Sequence, residues 1–120
     1  MRVAGSVLVV CSSLIRPDVG LGAGWHAFKD SPISKFTEQD MDYFEAARAE
    51  ALEKRADGES VSWVNPKSGN SGTVTPIRTY ESDGSRCRLL GIVNRAGNQS
   101  GESRFNFCQQ ADGGWKLVSP

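Results

Sequence analysis

Residues 86–110 read RCRLLGIVNRAGNQSGESRFNFCQQ and contain two β-prone runs separated by Gly97-Asn98. A Gly-Asn pair between two such runs is typical of a β-hairpin turn. Cys87 and Cys108 each lie ten residues from this turn. Outward from a two-residue turn, facing residues alternate between hydrogen-bonded and non-hydrogen-bonded pairs. The two cysteines fall in a non-hydrogen-bonded pair, whose Cα atoms lie about 4.5 Å apart. The spacing therefore predicts a Cys87–Cys108 disulfide, the alternative being two reduced core cysteines as in a cytosolic protein.

The same register sorts the hairpin side chains onto two faces, because a strand alternates its side chains. One face is apolar, and we expect it to pack on a helix: it carries Leu90, Ile92, Phe105 and Phe107. The other face is mixed and is either partly exposed, covered by residues that precede the helix, or turned into a barrel interior. It carries Cys87, Leu89, Arg104, Asn106 and Cys108.

A helix is predicted over residues 37–56. Thr37 is a good N-cap, and the acidic residues that follow it favour the positive end of a helix. Lys54 and Arg55 suit the last turn, and Gly58 supplies the stop. Apolar residues three or four apart form one stripe, namely Met41, Phe44, Ala47, Ala51 and Leu52.

Short β-prone runs bounded by turn residues predict five strands, over 60–64, 73–80, 86–94, 102–110 and 115–118. Asp83-Gly84 is a hairpin turn, and Pro76 indicates an edge strand or a bulge. The expected fold class is α+β, with one amphipathic helix packed on a five-stranded antiparallel meander that stays open or curls toward a partial barrel. Residues 37–120 form this single domain.

The amino terminus resembles an export signal. Met1-Arg2 precedes a mostly apolar run over 3–15, which is shorter than the roughly 20 residues that span a bilayer. Residues 1–23 are therefore predicted to be a leader and residues 24–36 a lead-in. Cleavage after Ala23 and lipidation of Cys11 are both open, although Val10 is larger than a lipidation signal prefers. A misassigned start codon would also explain the weak basic region.

The composition argues against several classes of function. Fourteen basic and 14 acidic residues balance to zero, whereas a nucleic-acid binder needs a basic face. The single histidine, His26, makes neither a zinc site nor a Ser-His-Asp triad, and no phosphate-binding glycine loop occurs. We therefore expect no catalytic residue, metal or cofactor. The alternative is a small hydrolase, which would need a deep pocket holding paired carboxylates or His26.

Two groups of residues are candidates for contact with a partner. The polar loop after the first strand is one, with Trp63, Asn65, Pro66, Lys67, Ser68 and Asn70 as its contact residues; the alternative is an ordinary hairpin connection. The second group is a set of arginines that could cluster against anionic lipid headgroups or lipopolysaccharide phosphates, or remain solvated surface charges. It comprises Arg78, Arg86, Arg88, Arg95 and Arg104.

Spaced motifs in residues 25–116 resemble the surface-antigen domain of the rickettsial 17-kilodalton antigen family. They are VSWVNP at 61–66, SG at 68–69, GTVTP at 72–76, RCR at 86–88, FC at 107–108 and DGGWK at 112–116. KDSP at 29–32, before the Thr-capped helix, is similar to the lead-in of small proteobacterial members. The glycine-zipper segment of the rickettsial antigen has only Gly20, Gly22 and Gly24 as a counterpart.

The resemblance implies a Gram-negative envelope protein, often a lipoprotein, in the periplasm or outer membrane or at the cell surface. It implies no catalytic residues. We therefore expect an exported envelope protein with a structural or binding role, contacting an envelope protein or a lipid surface as a peripheral or lipid-anchored protein. The alternative is a periplasmic binding or inhibitor module that presents residues 65–72. The sequence implies no oligomeric state.

Overall fold

The computed structural model describes residues 31–119. The predicted leader, with Cys11 and Ala23, and the lead-in up to residue 30, with His26, lie outside the described residues. Within residues 31–119, no helix is long and apolar enough to cross a membrane. The elements are a 3₁₀ helix (Pro32–Lys35), α1 (Glu38–Lys54), β1 (Val61–Val64), β2 (Ser71–Ser82), β3 (Ser85–Ala96), β4 (Gln99–Gln109) and β5 (Trp115–Ser119).

The predicted α+β meander is confirmed. The five strands form one antiparallel sheet in sequence order, and the sheet stays open, with β1 at one edge and β5 at the other. The register shifts between Pro76 and Arg78, so the bulge predicted from Pro76 is confirmed. The edge position is also found locally, because β1 pairs with β2 only as far as Val74 and Pro76 pairs with β3 alone. A strand edge and a bulge both lack a ladder hydrogen bond that a proline would have to donate.

The predicted β3–β4 register is also confirmed. Ala96 pairs with Gln99 beside the turn, and Cys87 pairs with Cys108. The two cysteines form a disulfide bond with their Cα atoms 4.0 Å apart. At the other end of β3, Asp83 and Gly84 have φ of 51° and 79°, as a two-residue hairpin with two left-handed residues requires.

The core lies between α1 and one face of the sheet, as the face assignment predicts. Leu90, Ile92, Phe105 and Phe107 pack with Phe44, Ala47, Ala51 and Leu52 of the helix stripe, all buried, while Met41 is partly buried at the margin. At about 25 cal/mol per Å² of apolar surface, this burial is what holds the two layers together. The sheet face away from α1, here named the open face, carries the disulfide together with Leu89, Arg104 and Asn106.

Arg88 does not belong to the surface arginines predicted from the sequence. Its side chain is only 2% exposed, because it alternates onto the core face with Leu90. Nη1 donates to the carbonyl oxygens of Ala51 and Leu52, at 3.0 and 2.9 Å. Those carbonyls belong to the last turn of α1, whose carbonyl oxygens have no amide donors within the helix. Arg88 therefore ties the helix end to the middle of the sheet.

The charge of Arg88 is balanced at the rim of the core. Nη2 donates to Asp57 Oδ1 at 2.9 Å, and Nε donates to Thr79 Oγ1 at 2.9 Å. Hydrogen bonds from Arg88 and Thr79 outweigh partial burial and lower the pKa of Asp57 below its usual value. Asp57 therefore stays ionised beside the guanidinium at neutral pH.

Candidate functional site

The connection between β1 and β2 is a closed loop at one end of the domain. The Asn65 amide donates to the Asn70 carbonyl at 2.9 Å, and the Gly69 amide donates to the Asn65 carbonyl at 2.8 Å. Gly69 has φ of 79°, a left-handed conformation that a side chain disfavours. Side chains satisfy two further amides, since Asn65 Oδ1 accepts from Lys67 N and Ser68 Oγ accepts from Asn70 N. We refer to residues 65–70 as the anchored loop.

A single buried carboxylate anchors this loop to the helix. Asp40, the third residue of α1, is fully buried. Its Oδ1 accepts from Asn65 Nδ2 at 2.7 Å and from the Ser68 hydroxyl at 2.6 Å. Its Oδ2 accepts from Asn70 Nδ2 at 2.8 Å. Three side chains of one loop therefore converge on one carboxylate that is more than 20 residues away in the chain.

The fourth hydrogen bond of Asp40 is local and belongs to the helix cap. Thr37 N donates to Asp40 Oδ2 at 2.8 Å, while Asp40 N donates to Thr37 Oγ1 at 3.0 Å, which together make a capping box. Such a box satisfies two amides at the start of a helix. Asp40 thus caps α1 and holds the anchored loop with the same carboxylate.

These contacts set the ionisation of Asp40. Burial alone raises the pKa of the carboxyl, but the bonds from Ser68, Thr37, Asn70 and Asn65 outweigh it and lower the pKa from 3.8 to about 2. None of these four donors is a cation, so the charge of Asp40 is stabilised by neutral donors and by the helix N-terminus. An ionised, fully enclosed carboxylate is an organising group, because it has neither a proton to donate at neutral pH nor access to a substrate.

The six residues predicted to make contacts in this loop divide into two groups. Trp63, Asn65 and Asn70 are buried, so their side chains hold the loop rather than face a partner. Pro66, Lys67 and Ser68 are exposed together with Gly69. We call residues 66–69 the loop tip. Of the six predicted contact residues, the three in the loop tip are therefore the ones placed to meet a partner, and binding by the tip stays a prediction.

Aromatic rings support the base of the loop. Trp63 makes an edge-to-face contact with Phe36 at 5.2 Å between ring centroids and stacks on Tyr43 at 6.2 Å. Gly72 lies under the indole, where an added Cβ would come within 2.5 Å of Trp63 Nε1. The tryptophan therefore fixes the end of β1, the start of β2 and the first turns of α1 relative to one another.

Two open depressions on the surface of residues 31–119 lie near the features described above. One lies beside the anchored loop, between the 3₁₀ helix and the β3–β4 turn, and is lined by Lys35, Asn70, Ala96, Gly97, Asn98 and Gln99. The other lies over Gly91, mainly on the open face. In residues 31–119, no group of three His, Cys, Asp or Glu side chains is placed to hold a metal ion.

The five arginines predicted as a basic patch do not form one group. Arg88 is buried, and Arg86 lies on the helix side of the sheet, with its guanidinium 5.7 Å from the Trp115 ring centroid. Arg78, Arg95 and Arg104 are exposed on the open face. Side chains alternate between the two faces of a strand, so three of the arginines share the open face while Arg86 and Arg88 lie on the helix side.

Comparison with known proteins gives one consistent result. Residues 50–116 match the family model described as 17 kDa outer membrane surface antigen. The 17 kDa surface antigen of Rickettsia bellii (strain RML369-C) is 36% identical over 103 residues, which cover 84% of this chain and 65% of the relative. Those of Rickettsia felis and Rickettsia prowazekii are 40% and 37% identical over 83 residues, covering 68% of this chain and 52% of each relative.

The chain thus spans between about half and two thirds of the length of these relatives. No solved structure matches it significantly. The matched region contains β1 to β4, the anchored loop and both cysteines of the disulfide. The rickettsial proteins are longer than this chain, so the similarity concerns this domain and not the remaining parts of those proteins.

Proposed function

Because the chain belongs to the 17 kDa surface antigen family and is thereby an exported envelope or cell-surface protein, we propose that it is a non-catalytic binding protein whose contact surface is the loop tip. One observation carries this proposal. A fully buried carboxylate, Asp40, accepts hydrogen bonds from the side chains of Asn65, Ser68 and Asn70, and residues 66–69 are exposed between Asn65 and Asn70.

A loop that is ordered before binding loses less conformational entropy when a partner docks, and each side chain spared from ordering is worth about 0.5–1.5 kcal/mol. Burying a carboxylate is unfavourable unless all of its acceptor positions are used. A plain turn could join two antiparallel strands with fewer than these six residues. Hydrogen bonds that hold a longer loop in one conformation are therefore expected where that conformation is needed for binding.

The tip has the composition of a small contact surface. Pro66 has a fixed φ and cannot donate a backbone hydrogen bond, while Lys67 adds one exposed positive charge. Gly69 leaves the backbone accessible. The proposed partner is an envelope protein, in keeping with the compartment of the family.

Substitution of the exposed tip tests this proposal without disturbing the anchor. The full chain and its Pro66→Ala/Lys67→Ala variant are immobilised and used to capture proteins from the host envelope, and any captured partner is then titrated. A matched control, Glu81→Ala/Ser82→Ala, alters two exposed residues beside the hairpin at the opposite end of β2. We expect the tip variant to bind the captured partner at least about tenfold more weakly, as loss of an interface hot spot does.

The control variant is expected to bind as the unaltered protein does. Equal binding by all three proteins, with unchanged circular dichroism spectra, would show that the tip is not the contact surface. The proposal would then fail, and the anchored loop would be a structural connection.

A further inference from the structure

The two sides of the domain carry opposite charge although the whole chain is neutral. The segment Glu38–Lys54 of α1 contains six acidic and two basic residues, and of the acidic ones only Asp40 is buried. The open face has four exposed cations and one exposed carboxylate. These are Arg78, Arg95, Arg104 and Lys116, and Glu102. We propose that the open face docks on the surface of a bilayer that contains anionic phospholipid.

Sheet geometry brings the cations close enough to act together. Arg104 on β4 lies in a cross-strand row with Gly91 and Thr75, and Arg78 lies two strands away on β2. Strands are spaced about 4.8 Å apart, and Arg78 is offset from the Arg104 row by two residues of about 3.4 Å each, so the two Cα atoms lie about 12 Å apart. That distance is about one and a half Debye lengths at physiological salt, so the two cations repel each other weakly while both face the same plane. Their attraction for a charged plane therefore adds.

Apolar side chains lie between these charges. Ile77 and Leu89 are half-buried, and Tyr80 reaches across β3 to donate from its hydroxyl to Asn106 Oδ1 at 2.5 Å. The guanidinium of Arg78 lies 4.5 Å from the Tyr80 ring centroid. Gly91 leaves a shallow depression beside Ile77, where an added Cβ would lie 3.1 Å from Ile77 Cδ1. A cationic surface with a modest apolar centre suits the headgroup layer of a membrane.

Charge complementarity and shape select this occupant. A lipid surface is broad, anionic and laterally adaptable, and it requires neither a deep groove nor a fixed pattern of donors. The acidic outer side of α1 would then face away from the membrane, which lowers the repulsion between the protein and the anionic plane. This inference depends on the open face alone and is independent of the loop tip.

Vesicle co-sedimentation of the full chain tests the inference. The vesicles contain phosphatidylglycerol and phosphatidylcholine at about 3:7, with pure phosphatidylcholine vesicles as the neutral comparison. The test variant is Arg104→Gln/Lys116→Gln, on the open face. The matched control is Lys54→Gln/Arg55→Gln, which removes the same charge at the end of α1. Any insertion of the apolar run over 3–15 contributes to binding of both vesicle types and to binding by all variants, so it does not produce the differences that the test measures.

We expect the unaltered chain to bind the anionic vesicles more strongly than the neutral ones. The open-face variant should bind the anionic vesicles about 10- to 30-fold more weakly, because each basic residue near an anionic surface contributes about a factor of five. The control variant should lose less than about threefold. Raising NaCl from about 50 to 500 mM should remove the preference for anionic vesicles.

Three results would overturn the proposal. They are equal binding to both vesicle types, equal losses in the two variants, and a preference that survives high salt. Self-association of the chain that the open-face variant abolishes, without any vesicle preference, would assign the face to the acidic helix side of a second copy instead.

Discussion

Replacing Asp40 with asparagine removes the charge at the centre of the anchored loop and keeps the shape of the side chain. The carboxylate accepts four hydrogen bonds, from Thr37 N, Asn65, Ser68 and Asn70. An asparagine amide offers acceptors on one side only, so its NH₂ group faces donors on the other. Hydrogen bonds to a charged group contribute about 1.5–3 kcal/mol each. Losing two of the four predicts a destabilisation of about 3–6 kcal/mol.

The pKa of Asp40 adds a pH dependence to this prediction. The folded-state pKa is about 2 and the usual value is 3.8. Because folding lowers the pKa, ionised Asp40 stabilises the fold above about pH 4, and this contribution, about 2 kcal/mol in all, is lost as pH falls from about 4 towards 2. The asparagine variant lacks this titration. The stability gap between the two proteins should therefore narrow by about 1 kcal/mol at pH 3.

Urea unfolding followed by circular dichroism measures this gap, with the disulfide intact in both proteins. The other carboxyl groups titrate in both chains and cancel in the difference. Asp42→Asn is the matched control, because Asp42 is exposed on the same helix. We expect that change to cost less than about 0.5 kcal/mol. A gap for Asp40→Asn below about 1 kcal/mol at pH 7, or one that does not change between pH 7 and pH 3, would refute the reasoning.

Three further changes test the packing around this site. Arg88→Met removes the donors to the Ala51 and Leu52 carbonyls and to Asp57; because two buried carbonyls are left without donors, urea unfolding should show a loss of about 2–6 kcal/mol, whereas a loss below about 1 kcal/mol would mean that water replaces the guanidinium. Gly72→Ala places a Cβ 2.9 Å from the Val93 carbonyl oxygen, so thermal unfolding should show a cost of about 1–3 kcal/mol. Gly91→Ala should cost less, because its tightest contact is the flexible end of Ile77 and the nearest backbone atom is at an ordinary 3.8 Å; equal costs would contradict this. Replacing Cys87 and Cys108 with alanine opens a crosslink of 21 residues and should cost about 3 kcal/mol in urea, with an unchanged midpoint as the contrary result.

Much of the fold was accessible from the sequence because its signals are local. The β3–β4 register follows from Gly97-Asn98 and the two cysteines, and the helix start follows from Thr37. The strand ends were less accessible. β2 begins at Ser71 and β4 at Gln99, earlier than predicted, because small polar residues with low strand propensity are held there by pairing with β3.

The polar contacts of the core were not accessible from local patterns. Asp40 satisfies the spacing of a capping box, but its partners lie 25 to 30 residues away, so an ordinary first-turn carboxylate was the natural interpretation. Arg88 shares the parity of Leu90 in β3, which was enough to place it on the core face. That signal was outweighed by the usual exposure of arginine. Asp40 shows that a buried charge can go unrecognised until its partners are known, whereas the burial of Arg88 follows from strand parity alone.

We expect the loop tip to be held in one conformation before any partner binds. ¹⁵N relaxation of the backbone amides measures this directly in solution. The amides of Lys67, Ser68 and Gly69 should have order parameters of about 0.8 or more, close to those of β3, and in Asp40→Asn they should fall to about 0.6 or less. Order parameters below about 0.6 in the unaltered protein would contradict the account, because the tip would then be flexible despite Asp40.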